Sequence, residues 1–232
     1  MAPWTQDSEP SRRVQLAEML VFLFLIAPSL AFSFLAASQG VASFRLTAIA
    51  TILRDLALVC LIAYFVRRNR EPIAKIGWSF RNWLQEAALG LVLFVPLSYG
   101  AGFVQAALSH IGLSAPPKYL AGLTPKRTPG ELALALILVI VVAFAEETMF
   151  RGYLILRLRA TTQSLFAAVI LSAVIFSFGH GYEGSAGVVA VGFMGLVFAL
   201  VYVWRKSLIA PMVMHFLQDF IVIVLLPFLH RK

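Results

Sequence analysis

Charged residues are scarce in this sequence, and cysteine is almost absent. Of the 232 residues, 13% are charged, whereas a soluble globular protein carries about 25%. Hydrophobic residues make up 60% of the chain and the mean hydropathy is +0.87. This composition excludes an ordinary soluble domain and indicates an integral membrane protein. The one cysteine, Cys60, excludes an intrachain disulfide, and its position inside an apolar run predicts a role in packing.

Long apolar runs follow one another along almost the whole chain and leave no space for a separate soluble domain. A helix needs about 20 apolar residues to cross ~30 Å of hydrocarbon, and an open strand cannot satisfy its backbone there. The sequence therefore predicts an all-α, polytopic membrane bundle of about seven to eight transmembrane helices, a single integral membrane domain over residues 1–232. The predicted spans are 15–37, 46–66, 84–108, 131–150, 164–180, 185–204 and 208–229.

The basic residues give a formal charge of +8, which raises nucleic acid as a partner. They lie at the ends of apolar runs, however, and form no patch interleaved with aromatic residues, so we expect no nucleic-acid partner. Most of them, including Arg67 and Arg151, would share the side of the N-terminus, which predicts that this side is cytoplasmic. Arg12 and Arg13 are expected to anchor an uncleaved first span rather than to form a twin-arginine signal.

Two adjacent glutamates close the fourth apolar run. On a helix, Glu147 and Arg151 stand four positions apart with the acid first, which is the favourable order for an ion pair. Glu146 points about 100° away from that pair and can serve as a general base in a dry site. The alternative is a helix end that emerges among lipid headgroups, although an acidic pair at a helix C-terminus opposes the helix dipole.

Two later segments carry histidines at the same spacing. Phe176 and His180 end the fifth run, where the phenyl ring can cover the imidazole; an interfacial histidine is the alternative. His215 and Asp219 lie inside the seventh run, so Asp219 can accept a hydrogen bond from the imidazole and fix its tautomer. Ionisable groups at bilayer depth cost at least ~2.5 kcal/mol each, so they persist mainly where they have a function.

Taken together, these segments resemble the CPBP family of intramembrane proteases, which includes CAAX prenyl endoproteases and bacterial proteins associated with bacteriocin immunity. The family patterns EExxxR, FxxxH and Hxxx followed by Asn or Asp match, in order, Glu146-Glu147 with Arg151, Phe176 with His180, and His215 with Asp219. The resemblance covers residues 131–222, the expected catalytic core. The N-terminal helices, within residues 1–110, carry no family motif and precede a proline-rich connection from His110 to Gly130.

The resemblance implies a multi-pass endopeptidase of a bacterial inner or plasma membrane that cuts a membrane-associated peptide or protein, such as a prenylated or membrane-spanning one. It implies that Glu146 activates a water with help from His180, and that His215 and Asp219 form the oxyanion site. Glu147, Arg151 and Phe176 would support them. Asp219 replaces the asparagine of the prenyl-protein branch, and because a carboxylate donates no hydrogen bond unless protonated, we expect it to orient His215 or hold a cation.

We expect glutamate chemistry without a cofactor. Zinc or another divalent metal stays open, with Glu146, His180, His215 and Asp219 as acceptable ligand types, although the HExxH spacing of helical zinc proteases is absent. Two other functions also stay open. One is a non-catalytic membrane binding or immunity protein of the same fold, and the other is a proton-coupled transporter, against which the lack of repeated halves argues.

Two geometric expectations remain for the structure to test. The predicted spans place Glu146 and His180 near opposite membrane faces, some 20 Å apart. Either the 150–163 stretch dips back, or the fifth helix starts deeper, or the assigned spans are wrong. In the second span, Arg54 and Asp55 are adjacent and do not face each other on a helix, so each needs a separate partner elsewhere or a shifted span boundary. Structural pairing or snorkelling is expected for them rather than a role in the site.

Overall fold

The computed structural model describes residues 10–39, 43–114 and 124–226, and within these ranges it contains helices and no strand. The α-helices are α1 (Arg12–Gln39), α2 (Phe44–Arg68), α3 (Trp83–His110), α4 (Pro129–Glu146), α5 (Ile155–Thr162), α6 (Leu165–Phe178), α7 (Gly184–Arg205) and α8 (Ile209–Asp219). A first π-helical segment, Glu147–Leu154, joins α4 to α5, and a second, Phe220–Leu225, extends α8. Short 3-10 turns occupy Ile73–Ile76 and Gly181–Glu183.

The predicted helical membrane bundle is confirmed. Within the described ranges, five helices are long and apolar enough to cross a membrane: Arg12–Leu35, Phe44–Arg68, Trp83–His110, Pro129–Thr162 and Gly181–Arg205. Two apolar helices are shorter, Leu165–Phe178 and Ile209–Leu225. The total of seven to eight spans stays a prediction. Residues 227–229 of the last predicted span, and residues 115–123 of the proline-rich connection, lie outside the described residues.

The outer surface of the bundle is apolar, as a lipid-facing surface must be. Large side chains such as Phe24, Tyr99 and Phe103 are three-quarters or more exposed. Cys60 is exposed as well, so its predicted packing role is wrong.

The fourth predicted span ends in the wrong place. The helix does not stop near residue 150 but runs without interruption from Pro129 to Thr162, 34 residues, through α4, the first π segment and α5. Thr128 caps its start by accepting a hydrogen bond from the Glu131 N–H. Arg151, predicted at the cytoplasmic end of a span, is instead fully buried in the middle of this helix.

A tight reversal then sends the chain back. Gln163 adopts the left-handed conformation (φ 58°) that ends α5, and the Ser164 side chain accepts a hydrogen bond from the Ala167 N–H to begin α6. From Glu146 to the end of α5 the chain rises about 24 Å, and from Leu165 to His180 it descends about 22 Å. Glu146 and His180 therefore lie at the same depth, which removes the conflict in the predicted spans.

The end of α6 contacts helix α1. The Ser33 hydroxyl lies 2.7 Å from the Phe178 carbonyl oxygen and accepts a hydrogen bond from the Gly181 N–H at 3.1 Å. The backbone groups at the end of α6 thus have a hydrogen-bond partner inside the bundle, as they must where no water is present. Helix α2 packs against α4, and α3 packs against α7 and α8. The division into N-terminal helices and a catalytic core stays a prediction.

The first π segment lies at the centre of the main hydrophobic core, and all eight of its residues are buried. Tyr153 packs edge-to-face on Phe22 of α1, with ring centroids 5.5 Å apart. The Ser172 hydroxyl of α6 donates to the Phe150 carbonyl oxygen at 2.7 Å. This bond matters because a π segment disturbs the regular backbone ladder, and an unpaired carbonyl in an apolar core is costly.

Gly152 of this segment gives a test of the packing. A Cβ there would lie 2.5 Å from the Ile76 carbonyl oxygen, which is backbone and cannot swing aside. We expect Gly152→Ala to destabilise the protein by about 1–3 kcal/mol through overpacking, lowering the midpoint of thermal unfolding in detergent. Gly102→Ala is the matched control, because a Cβ at that helical glycine meets open space and should leave stability equal or slightly higher. Equal midpoints for both variants would contradict this packing.

Candidate active site

The two glutamates lie on either side of the junction between α4 and the first π segment, and their surroundings differ. The Glu147 side chain is fully buried, and its Oε1 accepts a hydrogen bond from Arg151 Nη1 at 2.9 Å, the ion pair that the spacing predicts. The Glu146 side chain is 13% exposed, and its Oε2 has no hydrogen-bond partner among the described residues. One carboxylate is therefore held in place, and the other remains available.

His215 of α8 joins both glutamates. Its Nδ1 lies 2.8 Å from Glu147 Oε1, and because an ionised carboxylate only accepts, the imidazole donates this hydrogen bond. Its Nε2 then points toward Glu146 Oε2, at 3.8 Å, and Asp219 Oδ2, at 3.5 Å. The sequence assigned the orientation of His215 to Asp219, but the closer partner is Glu147, which the sequence had paired with Arg151 alone.

Aromatic rings fix the imidazole from two sides. Phe198 of α7 stacks on the His215 ring at 5.5 Å and 21°, while Phe176 of α6 meets it edge-on at 5.9 Å and 87°. Phe176 also carries the Arg151 guanidinium over its face at 4.1 Å and contacts the His180 ring at 4.9 Å. The predicted cover of His180 by Phe176 is thus present, and the same ring contacts three of the charged or titratable groups.

A small residue of α7 makes this arrangement fit. A Cβ on Gly195 would lie 2.8 Å from the Phe176 ring and 3.2 Å from Arg151 Nη2, and the Gly195 carbonyl oxygen accepts a hydrogen bond from that nitrogen at 3.2 Å. Any side chain here would displace either the ring or the guanidinium. Gly195 therefore lets the buried ion pair and its aromatic neighbours pack against the α7 backbone.

Glu146 and His180 line one small cavity of about 50 Å³, part of it open to the surface. Its other walls come from the middle of α1 and α2 and from Phe176. His180 Nδ1 lies 3.3 Å from the Phe176 carbonyl oxygen, which only accepts, so Nδ1 is the donor and Nε2 is left as an acceptor. A carboxylate and an imidazole that can both accept a proton thus face the same space.

The cavity wall also includes a charged residue of α2 that lies outside the three motifs. Arg54 of α2 is one of its lining residues, although no family motif includes it. Arg54 pairs with its neighbour Asp55, with Nη2 2.7 Å from Oδ1, so the expectation of separate partners is wrong. Adjacent residues can pair here because the long arginine side chain bends back to the short aspartate. A charged pair in the middle of a span was the available signal.

The sequence left open a metal ion bound by Glu146, His180, His215 and Asp219. Among the described residues, no group of three or more histidine, cysteine, aspartate or glutamate side chains is placed to hold a metal ion. The expectation of chemistry without a cofactor stays a prediction, and its test is chelation.

The buried ion pair predicts a specific pattern of stability. Glu147→Gln leaves the Arg151 charge buried without its partner, and Arg151→Met does the converse, so each should cost about 3–5 kcal/mol. The double variant removes both charges and should recover at least half of the loss, measured by thermal unfolding in detergent. Arg45→Gln, at a pair whose arginine is 66% exposed, is the control and should cost at most about 1 kcal/mol. Additive losses in the double variant would refute this coupling.

Comparison with curated proteins and with solved structures gave no match. Among protein families, residues 128–221 match the family described as type II CAAX prenyl endopeptidase Rce1-like. This stretch contains Glu146, His180, His215 and Asp219, while Arg54 lies outside it. The resemblance to CPBP proteases is therefore confirmed over residues 128–221.

Proposed function

We propose that the protein is an intramembrane endopeptidase that cleaves a membrane-associated peptide with a water activated by Glu146. The observation that carries this proposal is the cavity shared by Glu146 and His180, with His215 Nε2 3.8 Å from the Glu146 carboxylate. A base, a second proton acceptor and a fixed donor beside one cavity are the parts that peptide hydrolysis needs.

In the first step, the Glu146 carboxylate takes a proton from a water in the cavity while the oxygen attacks the carbonyl carbon of the scissile bond. His180, with Nε2 free to accept, orients that water. In the second step, Glu146 returns the proton to the amide nitrogen, the C–N bond breaks, and a carboxylic acid and an amine leave. General base catalysis of this kind contributes typically 10²–10⁴-fold.

The negative charge on the carbonyl oxygen needs a donor fixed in advance. With Nδ1–H bonded to Glu147, a doubly protonated His215 presents Nε2–H toward the reacting side. Phe176 and Phe198 hold the ring, so little reorganisation is needed when the charge develops. The Asp219 carboxylate lies 3.5 Å from the same nitrogen, on the side of the ring that faces Glu146. Glu147 and Arg151 act through His215 and do not touch the substrate.

Replacement of the base tests the function. We expect Glu146→Gln to lower kcat at least 10²-fold against a fluorogenic library of membrane peptides in liposomes, because the amide cannot take the proton. Glu131→Gln makes the same change on the same helix about 22 Å away and should stay within twofold of wild type. Insensitivity to a strong chelator supports glutamate chemistry, whereas loss on chelation and recovery with Zn²⁺ assigns the reaction to a metal.

No cleavage by the wild type, together with an unchanged cellular phenotype of Glu146→Gln, would overturn the enzymatic proposal. The non-catalytic binding or immunity protein of the same fold would then be the better reading. The bacterial membrane location is part of the same proposal, since the family match does not specify the source.

Two substitutions of Asp219 distinguish the contribution of its charge from that of its polar contact with His215. Asparagine occupies the corresponding place in the prenyl-protein branch of the resembling family, so we expect Asp219→Asn to keep at least one third of the wild-type kcat/KM. Asp219→Leu keeps the branched shape of the side chain but removes the polar neighbour of His215 Nε2 on the Asp219 side, and should lose about tenfold or more. Equal activity of the leucine and asparagine variants would exclude a contribution of Asp219 to the site.

A further inference from the structure

An open groove of about 300 Å³ lies between α1 and α2. It shares no lining residue with the cavity of Glu146 and His180. Two arginines, one acid and a strip of apolar side chains line it: Arg13, Arg68, Glu18, Val14, Ala17, Val21 and Phe65. All of them lie outside residues 128–221, so neither the family match nor the proposed reaction accounts for this groove.

The groove begins at the ends of two helices that are long and apolar enough to cross a membrane. Arg13 is the second residue of α1, and Arg68 is the last residue of α2. Basic residues at the ends of such spans lie at the level of the lipid headgroups. From Arg13 to Val21 the α1 wall extends about 12 Å along the helix, toward the hydrocarbon. One end of the groove therefore meets phosphate groups, and the rest meets acyl chains.

Both arginines keep donors for a ligand. Arg13 is exposed and makes no hydrogen bond or ion pair with the described residues. Arg68 is 49% exposed, and its Nη2 lies 3.6 Å from Glu18 Oε1. Both Glu18 oxygens also accept from Asn69 Nδ2 at 3.0 Å, and Oε2 lies 3.3 Å from Arg157 Nη2. The buried acid is thus satisfied mainly inside the protein, and it leaves the two guanidinium groups available.

These features select a ligand with an anionic head and an apolar tail. A guanidinium fork matches phosphate oxygens in shape and charge. Basic pockets between transmembrane helices suit anionic lipid headgroups on the cytoplasmic side, which is the side that the sequence predicts for the N-terminus. A soluble anion would leave the apolar strip uncovered, whereas an acyl chain covers it. A zwitterionic headgroup brings its own cation near the arginines, so a net negative headgroup fits better.

We propose that the groove between α1 and α2 binds one anionic phospholipid, with its phosphate between Arg13 and Arg68 and an acyl chain along Val21 and Phe65. This inference is independent of the proposed peptidase function. It gives a role to the start of α1 and the end of α2, which lie outside the family match.

Native mass spectrometry of the purified protein tests the site by identifying the first bound lipid. The protein in detergent receives equal amounts of phosphatidylglycerol and phosphatidylcholine with the same acyl chains. We expect wild type to favour phosphatidylglycerol about twentyfold, since each arginine near an anionic headgroup contributes about fivefold. The double variant Arg13→Gln with Arg68→Gln should favour it about twofold or less.

The single variant Arg13→Gln should lower the wild-type preference about fivefold. Because Arg13 has no partner in the described part of the protein, this variant tests the site even if Arg68→Gln fails to fold. Thermal unfolding in detergent checks the folding of each variant. An unchanged preference in a folded Arg13→Gln variant would refute the proposal.

The matched control replaces Arg67 and Arg81 with glutamine. Both arginines are exposed at the same end of the bundle, but neither lines the groove, so at least half of the wild-type preference should remain. An equal loss in the two double variants would mean attraction to general surface charge and would overturn the site. Equal binding of both lipids by the wild type overturns it as well. Displacement of the bound lipid by millimolar inorganic phosphate would assign the groove to a soluble anion instead.

Discussion

One buried oxygen atom, Oε1 of Glu147, holds the candidate site together. It accepts hydrogen bonds from Arg151 in its own segment and from His215 in α8, and Arg151 in turn contacts the α7 backbone at Gly195 and the Phe176 ring of α6. In an apolar interior an unpaired charge costs several kcal/mol, so none of these partners can move away without a large loss. Four helical elements are therefore fixed relative to each other by one carboxylate.

The two adjacent glutamates differ in role: Glu147 holds the bundle together, and Glu146 is the proposed base. A rotation of about 100° turns Glu147 into the bundle, where its Oε1 carries two hydrogen bonds, and turns Glu146 to the cavity. Glu146 can exchange protons in the proposed reaction because no hydrogen bond from the described residues occupies its Oε2. The π segment that begins at Glu147 widens the helix at this point, and such segments occur frequently at functional sites.

The second constraint on the site is that His180 and Glu146 must lie at the same depth in the bundle. Helix α6 has 14 residues, a rise of about 21 Å, which is less than the ~30 Å of a bilayer core. It ends beside Ser33 of α1, and the turn Gly181–Glu183 begins at the buried Gly181, whose N–H donates to the Ser33 hydroxyl. A short helix that stops inside the bundle thus brings His180 to the level of Glu146, and helices α1 and α2 complete the cavity.

The sequence by itself determined the membrane class, the helical architecture and the order of the three motifs, because hydrophobicity and helical spacing are local properties. It also determined the Glu147–Arg151 pair, which needs one turn of helix. Only the tertiary structure decided that the fourth helix continues past Arg151, that Glu147 rather than Asp219 is the closest partner of His215, and that Arg54 lines the cavity. These facts depend on where distant helices reverse and pack, and burial in a core, unlike spacing along a helix, is decided by the whole chain together.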